Sequence, residues 1–391
     1  MDFRLPADLT EWQTRVRDFV RSELQPHDRS IEDTGVVPEQ AMAGLRRMGL
    51  FGCNTPESFG GLGLSMLGSC LAIEEVAKAH TAYYYLSGVN VHIGSKAIEF
   101  YAAPALRQQW LPQLASGQVI GAFALTEPDA GSDAAGIKTR ATRDGPSHYV
   151  LDGMKTYITN APVAGLFTVF ATLDPQAGVK GITAFAVDAK TAGLRIGRAI
   201  EMAAGRGSQH SDVVFEQCRI PTSCRLGQEG QGFAIAMRCL DAGRTHWGAY
   251  CVGVASQLLD YAMAHVSTRQ AFGRRLRDHQ GIEWSIADMA NALHAARLVA
   301  YEAAWQYDHG DAATRTAAAA RSKYTGADMV QRVADMTLQL FGGAGYSRDL
   351  PIERIWRESR VVRILDGTSE IMRQIIARDA FRTHERRGAA T

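Results

Sequence analysis

The chain has 391 residues, more than one ordinary hydrophobic core accommodates, so two or three packed units are expected. It is 46% apolar and 21% charged, with 42 Lys+Arg against 41 Asp+Glu and a formal net charge of +1. That is an ordinary globular composition, and its balanced charge gives no bulk electrostatic reason to bind nucleic acid or a membrane surface.

The N-terminal stretch MDFRLPADLTEWQTRVRDFV carries no apolar signal core and no Ser/Arg-rich transit character. It reads as a cap, Asp8 or Thr10, followed by an amphipathic helix with Val16, Phe19, Val20 and Leu24 at helical spacing. Ala41, Leu45 and Met48 continue that habit, and residues 73–78 and 108–114 also read as helix. ESFGGLGLS (57–65) reads as a Gly-rich loop between helices. No apolar run approaches the ~20 residues of a membrane span, and the cytoplasm is the default location.

Residues 119–226 change character. VIGAFAL, YVLDGMKTYIT, LFTVFATL, ITAFAVD, LRIGRAI and SDVVFEQ are short, rich in Val, Ile, Thr and Phe, and separated by turn residues. The Asp152-Gly153 pair predicts a hairpin turn. Residues 227–391 return to long helices: Ile286, Met289, Leu293, Ala296 and Ala300 form one stripe, Ala317–Ala320 is a strong helix former, and FGGAGY (341–346) interrupts the run. The expected fold is therefore mostly α with a central β domain. An N-terminal helical domain (1–118) precedes a middle antiparallel β-barrel or sandwich (119–226) and a C-terminal helical bundle (227–391). That order excludes the strand–helix alternation of a Rossmann fold. The six cysteines, Cys53, Cys70, Cys218, Cys224, Cys239 and Cys251, form no Cys-x-x-Cys pair, so free thiols without zinc or disulfides are expected.

Four segments invite a chemical reading, and each has an ordinary one beside it. AFALTEPDAGSDAAG (122–136) is dense in Gly, Asp, Ser and Thr; it is a solvated loop, or a cradle of N–H groups and hydroxyls for an anion or polar ring edge. QLFGGAGYSRDLPIERIWRE (339–358) is a helix–helix turn, or a close approach to a phosphate. RQAFGRRLRDHQ (269–280) is a basic loop, or a set of phosphate contacts. RILDGTSEIMRQ (363–374) reads as a strand-like run followed by a helix; Asp366 or Thr368 caps that helix, or Asp366 is a catalytic base.

Taken together and in this order, with KTYITN (155–160) and RGSQHSDVVFEQCRIP (206–221) between them, the segments make the chain resemble the acyl-CoA dehydrogenase family over nearly its whole length. ALTEPDAGSDAAG resembles the family's first signature. Gln339, Gly342, Gly343, Gly345, Tyr346, Asp349, Arg354 and Glu358 match its second. The resemblance implies a helical domain, a β domain and a four-helix bundle, assembled as a homotetramer. It implies FAD bound between domains and across a subunit interface, and electron-transfer flavoprotein as electron acceptor. The implied reaction is α,β-desaturation of an acyl thioester: a carboxylate removes the α-proton while the β-hydrogen leaves as hydride to flavin N5. The carbonyl oxygen would be held by a flavin ribityl hydroxyl and the backbone N–H of the base residue.

By the same resemblance, Phe123, Leu125 and Thr126 would line the flavin ring, with Tyr157 and Thr159 against it. Many relatives have tryptophan where Tyr157 stands, and tyrosine can still stack. Ser132 would face the FAD pyrophosphate or the substrate's pantetheine. Arg269, Phe272, His279 and Gln280 would hold the FAD of a neighbouring subunit, and Gln339, Gly342 and Gly343 its adenosine diphosphate part. Thr368, Ser369 and Glu370 would touch the cofactor at the helix start. Asp241, Arg244 and Gly367 would contact the acyl-CoA, and no metal is expected.

The family's usual pattern at the base is Glu-Gly-Thr, whereas this chain has Asp366-Gly367-Thr368. Aspartate reaches roughly 1.3–1.5 Å less far, and ~1 Å of misplacement can cost ~100-fold in rate. Some relatives place their glutamate beside the position of Arg244; Gly243 stands there, so Asp366 remains the expected base. A nitroalkane-oxidising branch also uses aspartate here, which makes a flavin oxidase of a non-thioester carbon acid the first rival. A dehydrogenase of carrier-protein-bound acyl groups is the second. The acyl pocket floor is expected around residues 84–98, with His92 as its polar residue, and a short base suits branched or cyclic acyl groups.

Overall fold

The computed structural model describes residues 4–388, whose packing groups the chain into two compact units. One comprises the residues up to Gln25, Met66–Ala79 and Arg244 onward; the other comprises Pro26–Ser65 and His80–Gly243.

The first unit is helical. Its longer helices are α1 (Ala7–Phe19), α2 (Met66–Val76), the part of α3 (Gly232–Thr268) from Arg244 on, α4 (Gln280–His309), α5 (Ala312–Phe341), α6 (Ile352–Arg360) and α7 (Ser369–Gly388). Helix α1 buries Trp12, Val16 and Phe19, the face its spacing predicts. Neither Asp8 nor Thr10 caps it. Pro6 holds the cap position, and the Thr10 hydroxyl donates back to the Pro6 carbonyl at 3.0 Å. Helix α2 is buried nearly all round and carries two acids, each paired as a dry charge must be. Glu74 accepts from Arg297 (3.1 Å) and Tyr301 (2.8 Å) on α4, and Glu75 from Arg17 on α1 (3.0 Å) and Lys78 (2.6 Å). The α4 stripe is buried at Met289, Leu293, Ala296 and Ala300, with Ile286 half-buried. Ala317–Ala320 is buried as well.

Small residues let α3 and α5 approach closely. A Cβ at Gly248 would run into Ser322, and one at Gly326 would lie 3.1 Å from Cys251 and 3.2 Å from the Gly248 backbone. The segment read as strand-like before Asp366 is a 3-10 turn, Val361–Arg363, not a strand.

The second unit is built on one eight-stranded sheet: β1 (Gly121–Ala124), β2 (Arg140–Asp144), β3 (His148–Thr159), β4 (Leu166–Thr172), β5 (Ile182–Asp188), β6 (Leu194–Ala199), β7 (His210–Pro221) and β8 (Arg225–Leu226). The order is β6-β7-β3-β2-β4-β5-β8, with β1 beside β4. Most pairs are antiparallel as expected, but β1 and β2 both meet β4 in parallel. Phe167, Val169, Phe185, Val187, Val213 and Phe215 lie in its core.

The hairpin predicted at Asp152-Gly153 does not form. YVLDGMKTYIT is one continuous strand, and its register against β7 shifts at this pair. Asp152 accepts the Gln217 N–H (2.7 Å) and side-chain amide (2.9 Å) across the strands, so the irregularity is absorbed as a bulge. The turn comes earlier, between β2 and β3 at Gly145.

All six cysteines are free, and all but the half-buried Cys224 are buried. Burial pushes the thiol of Cys218 up to about 11 and those of Cys53, Cys239 and Cys251 up to about 12. Among the described residues no helix is long and apolar enough to cross a membrane.

Candidate active site

In the helical unit the site is the turn that starts α7. Asp366 has φ +50° and Gly367 φ +96°. The left-handed region disfavours residues with a Cβ by roughly 1–2 kcal/mol, so Asp366 needs external support. Its backbone carbonyl accepts Arg244 Nε at 3.1 Å, and the Gly367 carbonyl accepts the ammonium of Lys323. Gly367 is favoured by its φ, which suits glycine; a Cβ there would also lie 2.9 Å from the Met372 methyl and 3.3 Å from Arg244 Nη2, so those side-chain ends would have to shift. The two helices contributing these cations are those brought together at Gly248.

The Asp366 side chain does not cap α7. Thr368 does so, accepting the Ile371 N–H at 3.4 Å, which settles the two capping readings in favour of Thr368. Asp366 Oδ2 instead accepts the indole N–H of Trp247 at 2.8 Å. Neither Asp366 Oδ1 nor the Asp366 N–H is hydrogen-bonded among the described residues. Loss of water raises the Asp366 carboxyl above the ordinary aspartate value; the Trp247 hydrogen bond, Lys323 and Arg244 oppose that rise without cancelling it. Lys323, wholly buried, is lowered to about 8 by burial, against the pull of Asp366.

Elsewhere in this unit, Arg269–Gln280 joins α3 to α4 as a small hairpin, Gln270–Ala271 against Arg274–Arg275. Phe272 stands at its tip with φ +52° and 96% of its surface exposed. His279 Nε2 lies 3.2 Å from the Ala271 carbonyl, and its ring meets Phe272 edge-on. Arg269 and Gln280 are exposed. Gln339 is exposed near the end of α5, which stops at Gly342 in a conformation (φ +60°, ψ −140°) open essentially to glycine alone. A Cβ at Gly342 or Gly343 would meet nothing within 4 Å. Ser369 is half-buried and Glu370 exposed; the Glu370 carboxyl is held below its usual range by its own backbone N–H and the Thr368 hydroxyl.

In the sheet unit, β1 delivers Phe123, packed 4.8 Å from Phe170, and the loop beyond it holds Leu125 and Thr126. Leu125 is buried and Ser132 exposed. The loop is braced by Glu127. Its Oε1 accepts Lys155 Nζ (2.7 Å) and the Thr139 N–H (2.9 Å), and its Oε2 the Lys138 N–H (2.6 Å). Lys155 also donates to the Leu125 carbonyl at 3.0 Å. Burial alone would raise Glu127, but Lys155 and the two N–H donors outweigh it and pull the carboxyl down; Lys155 is lowered to about 8 by burial. Thr156 N–H donates to the Thr126 carbonyl at 2.9 Å, tying the loop to β3.

The second register shift in β3, between Lys155 and Ile158, turns Tyr157 outward with φ +57° and 57% exposure. Thr126 and Thr159 are half-buried, and neither hydroxyl has a hydrogen-bond partner among the described residues. Asp241 is buried on α3. His92 is buried in a π-helical turn, its Nε2 3.1 Å from the Tyr84 hydroxyl, and burial lowers it to about 3, so it is neutral at ordinary pH.

Sequence reasoning did not assign roles to Trp247, Lys323, Glu127 or Lys155. Trp247 lies three residues after Arg244, hence on the same helix face, and that spacing was the available signal.

Comparison with known proteins shows the family and the fold. Family profiles described as acyl-CoA dehydrogenase N-terminal, middle and C-terminal domains match residues 6–118, 122–218 and 230–381. An acryloyl-CoA reductase (NADH) of Anaerotignum propionicum is 36% identical over 383 residues, 98% of this chain and 96% of the relative. The structure of butyryl-CoA dehydrogenase from Megasphaera elsdenii superposes with a TM-score of 0.94 at 32% identity, covering 97% of this chain and 100% of that one. An acyl-CoA dehydrogenase complexed with FAD from Bacillus anthracis superposes with a TM-score of 0.89 at 28% identity, covering 98% and 68%. The fold is that of the flavin-dependent acyl-CoA dehydrogenases. The chain belongs to the acyl-CoA dehydrogenase family.

The residues present fit FAD. The unpartnered hydroxyls of Thr126 and Thr159 and the exposed Tyr157 ring suit a flat polar ring system. The open backbone at Gly342 and Gly343 leaves room for a diphosphate, and Phe272 offers an uncovered aromatic face.

Proposed function

We propose that the chain removes the α-proton and a β-hydride from an acyl-CoA thioester, giving the trans-2-enoyl-CoA, with Asp366 as the base. FAD, when bound, supplies the acceptor for the hydride. Asp366 Oδ1 takes the α-proton. The Asp366 N–H donates to the thioester carbonyl oxygen, where negative charge develops as that proton leaves. Gly367 leaves the approach to that N–H free of a side chain. The buried Arg244 guanidinium fixes the turn through the Asp366 carbonyl, and with Asp241 and Ser132 contributes to binding the acyl-CoA. The observation that carries the reading is a carboxylate with one oxygen tethered, one oxygen open and a raised pKa. A base whose pKa lies closer to the operating pH transfers protons more effectively.

Phe123, Leu125, Thr126, Ser132, Tyr157 and Thr159 in the sheet unit hold FAD in this proposal. So do Arg269, Phe272, His279, Gln280, Gln339, Gly342, Gly343, Thr368, Ser369 and Glu370 in the helical unit. An almost fully exposed Phe272 supports a homotetramer in which this hairpin is covered. Electron-transfer flavoprotein is the proposed acceptor. Six free cysteines support a reducing compartment, the cytoplasm.

The test is anaerobic mixing of FAD-loaded protein with short, long, branched, cyclic and aromatic acyl-CoAs, read as bleaching of the oxidised flavin band. Bleaching by one class, slowed by about 10²–10⁴-fold in Asp366→Asn, is the expected result. Undiminished bleaching in the variant moves the base elsewhere.

A further inference from the structure

Asp366 is short for its position in the family's pattern, it occupies a left-handed backbone conformation, and its side chain does not bond to its own turn. A carboxylate in that setting can rotate about two side-chain bonds, so something else must fix it. The contact that does so comes from α3. Trp247 is 2% exposed, its ring packs edge-on against Tyr250 at 5.1 Å, and its Nε1–H meets Asp366 Oδ2 at 2.8 Å. An indole N–H can donate but not accept, so this contact leaves the carboxylate's capacity to accept a proton intact. Arg244, three residues earlier on the same face, holds the carbonyl of the same aspartate. One helix face therefore fixes both the backbone and the side chain of Asp366.

We propose that Trp247 is a positioning residue for proton abstraction: its indole N–H anchors Asp366 Oδ2 and so fixes Oδ1 as the oxygen that takes the α-proton. The proposal rests on the reading of Asp366 as base. The bulky indole is the counterpart of the short acid, because it reaches the carboxylate where the carboxylate cannot reach outward. The groups around the carboxylate are Arg244 and Trp247 from α3 and Lys323 from α5, with Glu370 at the head of α7 and Cys251 on α3 acting on Lys323. Arg244 stays charged throughout. Cys251 stays a thiol and Glu370 stays ionised across neutral pH. Removing the indole N–H leaves burial of the charge opposed only by Lys323 and Arg244, so the Asp366 carboxyl rises further.

The experiment uses FAD-loaded enzyme and compares wild type, Trp247→Phe and Asp366→Asn. Trp247→Phe keeps an aromatic ring and removes the N–H. The rate of flavin reduction at saturating acyl-CoA is expected to fall about 10–100-fold. Its acid limb is expected to move up by about one pH unit, with acyl-CoA affinity and FAD content unchanged. Without substrate, the infrared band of the protonated carboxyl, identified by its loss in Asp366→Asn, is expected to titrate at a correspondingly higher pH in Trp247→Phe. An unchanged rate and an unchanged titration in Trp247→Phe, with Asp366→Asn inactive, overturn the positioning role and leave the base standing. Reduction that survives in Asp366→Asn overturns the base and the positioning role with it.

If Trp247→Phe does not fold, the wild type carries the test through ¹⁵N-labelled indoles. The chain has six tryptophans, and one indole signal is expected to follow the carboxyl titration and to be displaced and pH-insensitive in Asp366→Asn. Six signals indifferent to Asp366→Asn overturn the proposal.

Discussion

Two carboxylates, one in each compact unit, share the same burial problem and resolve it oppositely. Glu127 has three donors on its two oxygens, including a wholly buried lysine, and its pKa is pulled down. Asp366 has one donor on one oxygen, its cations lie on neighbouring backbone carbonyls, and its pKa is raised. A saturated acid cannot accept a proton readily, and so it braces a loop. An undersaturated acid is costly to keep charged, and that cost suits it to the base role proposed for it. Both sit beside a lysine lowered to about 8, so the presence of a nearby cation does not distinguish the two roles. What distinguishes them is where that cation's hydrogen bond goes.

The largest expected effect lies on the saturated side. Lys155→Met strands the Glu127 charge in a dry site and should cost about 3–5 kcal/mol, read as a lowered urea midpoint. Adding Glu127→Gln should recover part of the loss, since the stranded charge is then gone. On the undersaturated side the sign is reversed. Asp366 has a folded pKa above its unfolded value, so its contribution is favourable at low pH and is lost as pH rises through the folded pKa. Asp366→Asn should therefore melt slightly above wild type at neutral pH, with the gap closing on acidification; calorimetry across pH 4–7.5 checks it. Equal melting temperatures throughout that range would erase the contrast between the two acids. The smallest effect on stability belongs to Phe272→Ala. With 96% of its surface exposed in the single chain, the change should alter the unfolding free energy of the dissociated subunit by under ~0.5 kcal/mol while lowering the FAD retained on dilution.

Period and composition were enough to read the helices and the β region, because Val16, Phe19, Met289, Leu293, Ala296 and Ala300 are buried where their spacing predicts. Asp152-Gly153 misled because a turn dipeptide and a bulge share their local chemistry, and only the partner strand, with Gln217 waiting, decides between them. The parallel pairing of β1 and β2 with β4 is a matter of topology that no local pattern encodes. At the site, Asp366-Gly367-Thr368 was legible as a motif, and the division of labour between Thr368 as cap and Asp366 as free acid was not. The residues that make Asp366 distinctive, Trp247 and Lys323, lie 119 and 43 positions away in sequence and reach it only through packing of α3 on α5.

The cysteines turn that packing into a clock. A buried thiol near pKa 12 is almost wholly protonated and shielded at neutral pH, so alkylation must wait for the backbone to open. Cys70 and Cys251 sit in the helical unit, and Cys53, Cys218 and Cys239 in the sheet unit. Each unit therefore carries its own native reporter of opening, and mass spectrometry of alkylated peptides can time the two separately in unmodified protein.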